Sequence, residues 1–371
     1  MPARPYKPAR KIDSMDKPEP KYIYAKNKIW ETIRPLEIDE KIPGERVFAK
    51  ELGVSYMTVR KAVDSLVAEG VLYKVPKKGT YVADRKAKKG GTKNIGYFLD
   101  GSIKDGVSSP YYSMIFDALE KAASENGYSL MYVSDISGAN LPETLKKIDG
   151  AIISCFPRIE NVIQDVNKIV PVVGIDNSSP DKTIPSVIID NFNAVVDSIN
   201  YLCSLGHERI GFVTGLDDSD VGRNRLAGYL SALRSNGIDE DNDLVFKGDY
   251  SFRTGVEAAG YFLSLDRPPT AIMCANDTMA IGALKEVNKT GLSVPDDISV
   301  MGFDDIDIAS QITPGLTTIS APVEEIAKHS VNMLNSLIKG IDLDNSHITL
   351  PGQLVLRDTC ASNKKSKVAA G

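Results

Sequence analysis

The chain has 371 residues, of which 42% are hydrophobic and 25% charged, which is typical of globular protein. Its length predicts two or three domains. No run of about 18 apolar residues occurs, which argues against a membrane span, and the first residues lack the apolar stretch of a secretory signal. Cys155, Cys203, Cys274 and Cys360 form no C-x-x-C pair, so we expect free thiols in a cytoplasmic protein.

Charge is unevenly distributed along the chain. Residues 1–93 carry 22 Lys and Arg against 12 Asp and Glu, a net charge of +10, whereas the remaining residues carry a net charge of −15. A basic head on an acidic body is typical of a nucleic-acid-binding module joined to a domain that does not bind polyanions. Residues 1–21, rich in Pro, Lys and Arg, predict a disordered basic tail.

Residues 22–84 predict a small DNA-binding domain. A helix over Tyr22–Ile33 is followed by a short helix over Glu45–Leu52, which Gly53 ends. Ser55 can cap a third helix because its hydroxyl accepts from free backbone N–H groups. Only two residues separate the second and third helices, as in a helix-turn-helix. Val71–Val75 and Gly79–Val82 predict a hairpin with a basic tip.

The third helix has two faces of different character. Its apolar residues recur at helical spacing and predict a buried face, while the opposite face is basic and able to form hydrogen bonds. The buried set is Val59, Ala62, Val63, Leu66 and Val67, and the exposed set is Tyr56, Met57, Arg60, Lys61 and Asp64. An ordinary amphipathic surface helix would show the same spacing, so the neighbouring elements decide in favour of DNA.

The head resembles the winged-helix domain of GntR-type transcription regulators. The resemblance lies in Pro43-Gly44-Glu45-Arg46, Val54 to Ala62, Leu66 to Gly70 and Lys78 to Val82. It implies DNA contacts from Arg46 on the second helix, from the third helix and its cap, and from the wing. These residues are Arg46, Ser55, Tyr56, Met57, Thr58, Arg60, Lys61, Lys77, Lys78, Gly79 and Thr80. Tyr56 stands where Arg is common and cannot make the bidentate contact to guanine, so no operator sequence is carried over.

Residues 85–93 contain no core-forming side chain and predict a linker. Beyond it, short apolar strands alternate with amphipathic helices, which predicts parallel sheets covered on both faces. About 270 residues are too many for one such layer, so we expect two lobes. The predicted strands are Ile95–Leu99, Leu130–Val133, Ala151–Cys155, Val172–Ile175, Val187–Ile189, Ile210–Val213, Leu244–Phe246, Ala271–Cys274 and Ile298–Gly302.

In such folds ligands bind at the carboxyl ends of the strands. The polar residues that follow predicted strands are therefore candidate ligand contacts: Asp100, Asp176-Asn177, Asp190-Asn191, Asn276-Asp277 and Asp304-Asp305. One residue of the Asn276-Asp277 pair is expected to cap the following helix.

Residues 94–360 resemble the effector-binding core of LacI-type repressors, which is similar to periplasmic sugar-binding proteins. The motifs are Ser109 to Tyr112, Leu205 to Phe212, Gly222 to Tyr229, Gly248 to Tyr250, Ala275 to Gly282, Val294 to Asp305 and Leu316 to Ile319. A GntR-type head on this body is similar to the arabinose-repressor group. The resemblance implies a first lobe at about 94–190 and 318–341, a second at about 191–317 and 342–360, and a tail at 361–371.

The resemblance also implies a sugar site. A sugar needs an aromatic wall for its C–H face and charged groups for pairs of hydroxyls. The candidate residues are Tyr111, Tyr112, Asp176, Asp190, Arg225, Tyr250, Asn276 and Asp304. Each has a structural alternative, such as core packing for the tyrosines and helix capping for the carboxylates.

The predicted function is a ligand-responsive repressor of carbohydrate-utilisation genes. It is expected to bind a palindromic operator as a homodimer and to be switched by a monosaccharide such as L-arabinose. The sequence has no metal-ligand cluster, no G-x-x-x-x-G-K-[ST] loop and no Ser with an evident base, so we expect neither cofactor nor enzymatic activity. The alternative is a transport-type sugar-binding protein without a role on DNA. The identity of the effector and the sign of its effect stay open.

Overall fold

The computed structural model describes residues 21–33, 36, 40–68, 71–76, 78–82, 91–99, 103, 105–134, 141–154, 160–179 and 182–363. The chain forms two compact units that divide between Gly90 and Gly91. The predicted tail up to residue 20, most of the predicted linker, residues 364–371, Lys77, Asp100 and Cys155 lie outside the described residues. Among the described helices, none combines the length and apolar character that a bilayer span requires.

The N-terminal unit contains three helices and a two-stranded wing, as predicted. Its core includes Ile29, Phe48, Val59, Val63 and Leu66, each at most 1% exposed. The elements are α1 (Lys21–Ile33), α2 (Glu45–Leu52), α3 (Tyr56–Ala68), β1 (Leu72–Val75) and β2 (Gly79–Val82).

The wing is an antiparallel hairpin with one further segment that the sequence did not predict. Lys41 forms a bridge with Tyr81, and the Ile42 amide donates to the Thr80 carbonyl at 3.0 Å. This contact ties the loop before α2 to β2.

The second unit contains twelve strands and nine α-helices within the described residues. Its strands are β3 (Asn94–Leu99), β4 (Ser129–Val133), β5 (Gly150–Ser154), β6 (Val172–Ile175), β7 (Ser186–Ile189), β8 (Ile210–Val213), β9 (Val245–Phe246), β10 (Ala271–Cys274), β11 (Ser299–Met301), β12 (Thr318–Ser320), β13 (His347–Leu350) and β14 (Gln353–Val355). Its helices are α4 (Pro110–Glu125), α5 (Leu141–Leu145), α6 (Glu160–Asn167), α7 (Asn191–Ser204), α8 (Asp220–Ser235), α9 (Phe252–Ser264), α10 (Asp277–Lys289), α11 (Asp307–Gln311) and α12 (Val323–Ile338).

Two parallel sheets define two lobes, which confirms the predicted architecture. The first lobe has the strand order β13-β7-β6-β5-β3-β4 and the second has the order β11-β10-β8-β9. All neighbouring strands within these two sheets are parallel. A separate antiparallel pair, β12 and β14, lies beside the second sheet, because Asp304 bridges Ser320.

Three predicted boundaries are wrong. Residues 347–350 were assigned to the second lobe, but β13 pairs in parallel with β7 and so extends the sheet of the first. Residues 318–320 were assigned to the first lobe, but Ser320 of β12 is bridged to Asp304, in the turn that follows β11. The predicted linker extended to residue 93, but the backbone N–H groups of Thr92 and Lys93 donate to the Asp149 carboxylate at 2.8 and 2.9 Å, which fixes them to the second unit.

Candidate functional site

The first turn of α3 presents polar and apolar side chains to solvent. Ser55 caps it as predicted: its hydroxyl accepts from the Thr58 amide at 3.1 Å and lies 2.8 Å from the Thr58 hydroxyl. Tyr56 and Met57 are 41% and 66% exposed, although Met is usually a buried residue. A helix N-terminus with exposed side chains beside it is suited to contact a phosphate backbone and base edges.

The basic side chains around α3 contact an aromatic ring or acidic side chains nearby. Lys61 lies 4.1 Å above the Tyr22 ring, and Arg60 lies 4.0 Å from Asp64. Lys74, which the sequence analysis did not single out, bonds both Glu45 at 2.9 Å and Asp64 at 2.7 Å. It therefore links β1 to α2 and α3 and partly neutralises two acidic groups near the basic face.

Three of the four residues predicted for the wing, Lys78, Gly79 and Thr80, lie within the described part of the chain. Lys78 and Gly79 are exposed and Thr80 is half-buried, while Arg46 is exposed on α2. Gly79 has a φ of +131°, and a Cβ there would lie 2.7 Å from the Lys41 side chain. A φ in this region favours glycine, so another residue at position 79 would strain the backbone of the tip.

A cavity of about 610 Å³ lies where the carboxyl ends of strands from both lobes approach one another. Seven of the eight predicted ligand residues line it: Tyr111, Tyr112, Asp176, Arg225, Tyr250, Asn276 and Asp304. Residues far apart in the chain thus share one site, as expected for a site between two sheets.

Arg225, on α8, is held from three sides. Its Nε donates to Asn191 Oδ1 at 2.8 Å, Nη1 donates to the Ala275 carbonyl, and Nη2 lies 3.7 Å from Asp304 Oδ1. The guanidinium carbon lies 3.5 Å from the centre of the Phe303 ring, and the residue is 4% exposed. A planar cation fixed in this way is preorganised to bind two neighbouring oxygens.

Two buried carboxyl groups accompany the arginine. The Tyr111 hydroxyl donates to Asp176 Oδ1 at 2.8 Å, while Asp176 Oδ2 is buried without a hydrogen-bond partner among the described residues. Burial raises the pKa of Asp176, and it raises the pKa of Asp304 well above its usual range despite the nearby Arg225 charge. Burial and the Asp176 charge raise the pKa of the Tyr111 hydroxyl. Asp176 therefore presents a buried oxygen that makes no hydrogen bond within the described residues, and burial favours the neutral form of its carboxyl group.

Asn276 and Asp190 cap helices. Asn276 lines the cavity, but its Oδ1 accepts from the Met279 amide at 2.9 Å and its Nδ2 donates to the Tyr250 carbonyl at 3.1 Å. Asp190 was predicted to contact the ligand, but it does not line the cavity. Its carboxylate accepts from the amide and side chain of Asn193 and caps α7.

Two asparagines that were predicted as polar residues after strands, but not included among the sugar ligands, belong to the site. Asn191, directly after Asp190, is 5% exposed and binds Arg225, and Asn177, directly after Asp176, lines the cavity with a buried Oδ1 that has no partner in the described part of the chain. Both lie in the polar pairs after strands. The rule that the residue just before a helix caps it could have separated Asp190 from Asn191.

Asp277 is a further buried group beside the site. It is 0% exposed, and its carboxylate accepts from the Thr318 hydroxyl at 2.5 Å and the Ile306 amide at 2.9 Å. Burial raises its pKa to about 7. These bonds join α10 to β12 and to the turn that contains Asp304, whose φ is +113°. Asp277 therefore fixes the backbone that presents Asp304 to the cavity.

Comparisons with known proteins agree with both units. The family described as "Bacterial regulatory proteins, gntR family" matches residues 25–82, and the "Periplasmic binding protein-like domain" matches residues 199–360. The HTH-type transcriptional repressor CytR of Escherichia coli (strain K12) is 34% identical over 260 residues, which are 68% of this chain and 76% of CytR. The chain belongs to the LacI/GntR family of HTH-type transcriptional repressors.

Other members of this repressor family extend the comparison. The probable HTH-type transcriptional repressor ExuR of Bacillus subtilis (strain 168) is 33% identical over 269 residues, 71% of this chain and 80% of ExuR. The crystal structure of a LacI-family regulatory protein from Chloroflexus aggregans superposes with a TM-score of 0.66 at 26% identity, covering 73% of this chain and all of that one. The predicted GntR-type head and LacI-type body are thereby confirmed, while the resemblance to the arabinose-repressor group stays a prediction.

Proposed function

We propose that this protein represses carbohydrate-utilisation genes and that a sugar in the interlobe cavity sets its affinity for operator DNA. The effector is a monosaccharide or a sugar derivative, with L-arabinose as the first candidate. The observation that supports this most strongly is the buried group formed by Arg225, Asp176 and Asp304 beside the tyrosines of the same cavity.

The chemistry of this group favours hydroxyl-bearing ligands. Arg225 supplies donors, whereas Asp176 Oδ2 and Asn177 Oδ1 are buried oxygens without partners among the described residues. A sugar hydroxyl both donates and accepts, so neighbouring hydroxyls can satisfy a guanidinium and a carboxyl group together. Tyr111, Tyr112 and Tyr250 supply aromatic faces for the apolar C–H surface of the ring.

Ligand and operator are coupled through the lobes. A sugar that contacts residues of both lobes favours their closed arrangement, which is a hinge motion. If sugar binding changes operator affinity by some factor, operator binding changes sugar affinity by the same factor. The corresponding coupling free energy is typically about 1–3 kcal/mol. We propose a homodimer on a pseudo-palindromic operator, because two-fold symmetric heads require two-fold symmetric half-sites.

The sugar assignment is tested by thermal unfolding of the full chain with L-arabinose, D-xylose, D-ribose and D-glucose. A sugar present at 100 times its Kd stabilises the folded protein by about 2.7 kcal/mol, which corresponds to a rise in Tm of roughly 5 °C or more. The Arg225→Gln variant should show no rise. Equal Tm values with and without every sugar, or a rise that Arg225→Gln retains, would contradict the assignment.

The DNA assignment is tested separately by selecting bound fragments from a genomic library at a stated salt concentration, followed by mobility shift. We expect a preferred pseudo-palindromic site, and weaker binding to it by Arg60→Ala. Lys168→Ala, an exposed substitution in the second unit, is the matched control that should leave the affinity unchanged. Binding without sequence preference would overturn the assignment.

A further inference from the structure

The site is longer than one sugar ring requires. The polar group around Arg225 lies at the ends of β10 and β11, since it contacts the Ala275 carbonyl and Asp304. The cavity continues past the ends of β8 and β9, where Leu216, Val221 and Phe252 line it. From β11 to β9 there are three strand spacings, or about 14 Å.

The first lobe gives the cavity a similar length. Its lining residues follow β7 (Asn191), β6 (Asp176) and β3 (Ile103 and Asp105), and these strands also span three spacings of the sheet. Opening or closing the lobes changes the distance between the two sheet edges but not the length along them. The extra length therefore does not depend on how far the lobes are closed. A six-membered ring of ~1.5 Å bonds with its hydroxyls covers about half of it.

The two ends of the cavity differ in chemistry. The end near β10 and β11 contains the buried charges. The end near β8 and β9 contains Leu216, Val221 and Phe252, which is 38% exposed, together with solvent-accessible polar residues, namely Asp218, Ser219, Asp249, Ser251 and Arg253. Tyr250 lies between them: its carbonyl accepts from Asn276, and its ring packs so closely on Gly215 that a Cβ there would lie 2.0 Å from the hydroxyl. Phe252 thus offers a partly exposed aromatic ring at the second end, and Lys285 Nζ lies 5.4 Å from the centre of that ring.

We propose that the effector is a glycoside with two rings, its sugar ring at Arg225 and its second ring against Phe252, Leu216 and Val221. This inference rests on the proposed sugar site and narrows its ligand class. The ring against Phe252 presents a flat face, which both a second sugar and an aromatic aglycone possess.

The test compares each monosaccharide with a two-ring derivative by calorimetry on the full chain. The pairs are L-arabinose with 4-nitrophenyl α-L-arabinofuranoside, D-xylose with xylobiose, D-ribose with adenosine, and D-glucose with cellobiose. In the pair that binds, we expect the two-ring compound to bind at least tenfold more tightly. The compound that binds best also shows whether the second ring is a sugar, as in xylobiose and cellobiose, or an aromatic group, as in the other two.

Variants locate the second ring. Phe252→Ala should remove roughly tenfold of the two-ring affinity and leave the monosaccharide affinity unchanged, whereas Phe192→Ala should change neither. Phe192 is a matched control because it is 36% exposed, lies on α7 and does not line the cavity. Phe252→Leu, which keeps an apolar side chain without the flat ring, replaces Phe252→Ala if that variant does not fold.

Three results would overturn the inference. If a monosaccharide binds as tightly as its two-ring partner, the second end of the cavity contributes nothing to the affinity. An equal loss of both affinities in Phe252→Ala places Phe252 against the first ring. No binding by any compound of the panel overturns the sugar assignment itself, and this inference with it.

Discussion

Helices α9 and α10 approach each other so closely that one methyl group should separate them. A Cβ on Gly255 would lie 1.9 Å from the Met279 carbonyl oxygen, which is backbone and cannot rotate away. Ordinary contact begins at 3.4 Å, so the Gly255→Ala variant must move the two helices apart. Overpacking costs about 1–3 kcal/mol, and contact with rigid backbone favours the upper end. The gain in helix propensity returns up to about 1 kcal/mol, which leaves a net loss of about 2 kcal/mol.

Gly260, on the same helix, is the matched control. A Cβ there meets only the Glu286 side chain at 3.9 Å, so Gly260→Ala should stabilise the protein by about 0.5–1 kcal/mol through helix propensity alone. The free energy of unfolding is measured by denaturant titration. Trp30, the single tryptophan, lies in the N-terminal unit, so circular dichroism rather than tryptophan fluorescence should follow the second unit. If Gly255→Ala proved as stable as Gly260→Ala, the close packing of these helices would be refuted.

Three further predictions concern single side chains. Ser55→Ala should destabilise the N-terminal unit by about 1 kcal/mol, because it removes the cap of α3; an unchanged unfolding midpoint by Trp30 fluorescence would contradict this. Asp277, with a pKa of about 7 in the folded chain, binds more protons folded than unfolded near pH 5–7. Its contribution to stability is therefore present at low pH and lost as pH rises through 7. Asp277→Asn should make the fall in stability from pH 5 to pH 8 shallower, and an identical slope would disprove the assignment. Arg225→Lys keeps the charge but loses the planar fork, so calorimetry should show at least tenfold weaker binding of any sugar that raises the Tm; retained affinity would count against bidentate binding.

The sequence predicted local structure well where short-range chemistry decides it. Ser55 caps α3 because its hydroxyl reaches an amide three residues away, and Gly53 ends α2 with a φ of +62°. The strands at Val172–Ile175, Ile210–Val213 and Ala271–Cys274 have the predicted bounds. Continuous apolar runs of this kind are typical of strands that are buried on both faces.

The sequence predicted that pairs of polar residues after strands form the site. It did not predict which member of each pair faces the cavity. After β7, Asp190 caps α7 and Asn191 turns toward Arg225. Which of the two residues faces the cavity depends on where α7 begins and on which side chain lies across from it. The sequence of the pair alone determines neither.

Residue pattern alone determined the basic head, the alternation of strands and helices, and the motifs that carry the family resemblance, because these depend on side chains within a few positions of one another. The assignment of β12 and β13 to their lobes was decided only by tertiary structure. Both are strands of three or four residues whose partners lie far away in the chain: β12 pairs with β14, and β13 pairs with β7. The setting of Arg225 between Asn191, the Ala275 carbonyl and Asp304 was decided in the same way, since it joins four segments whose approach no local pattern encodes.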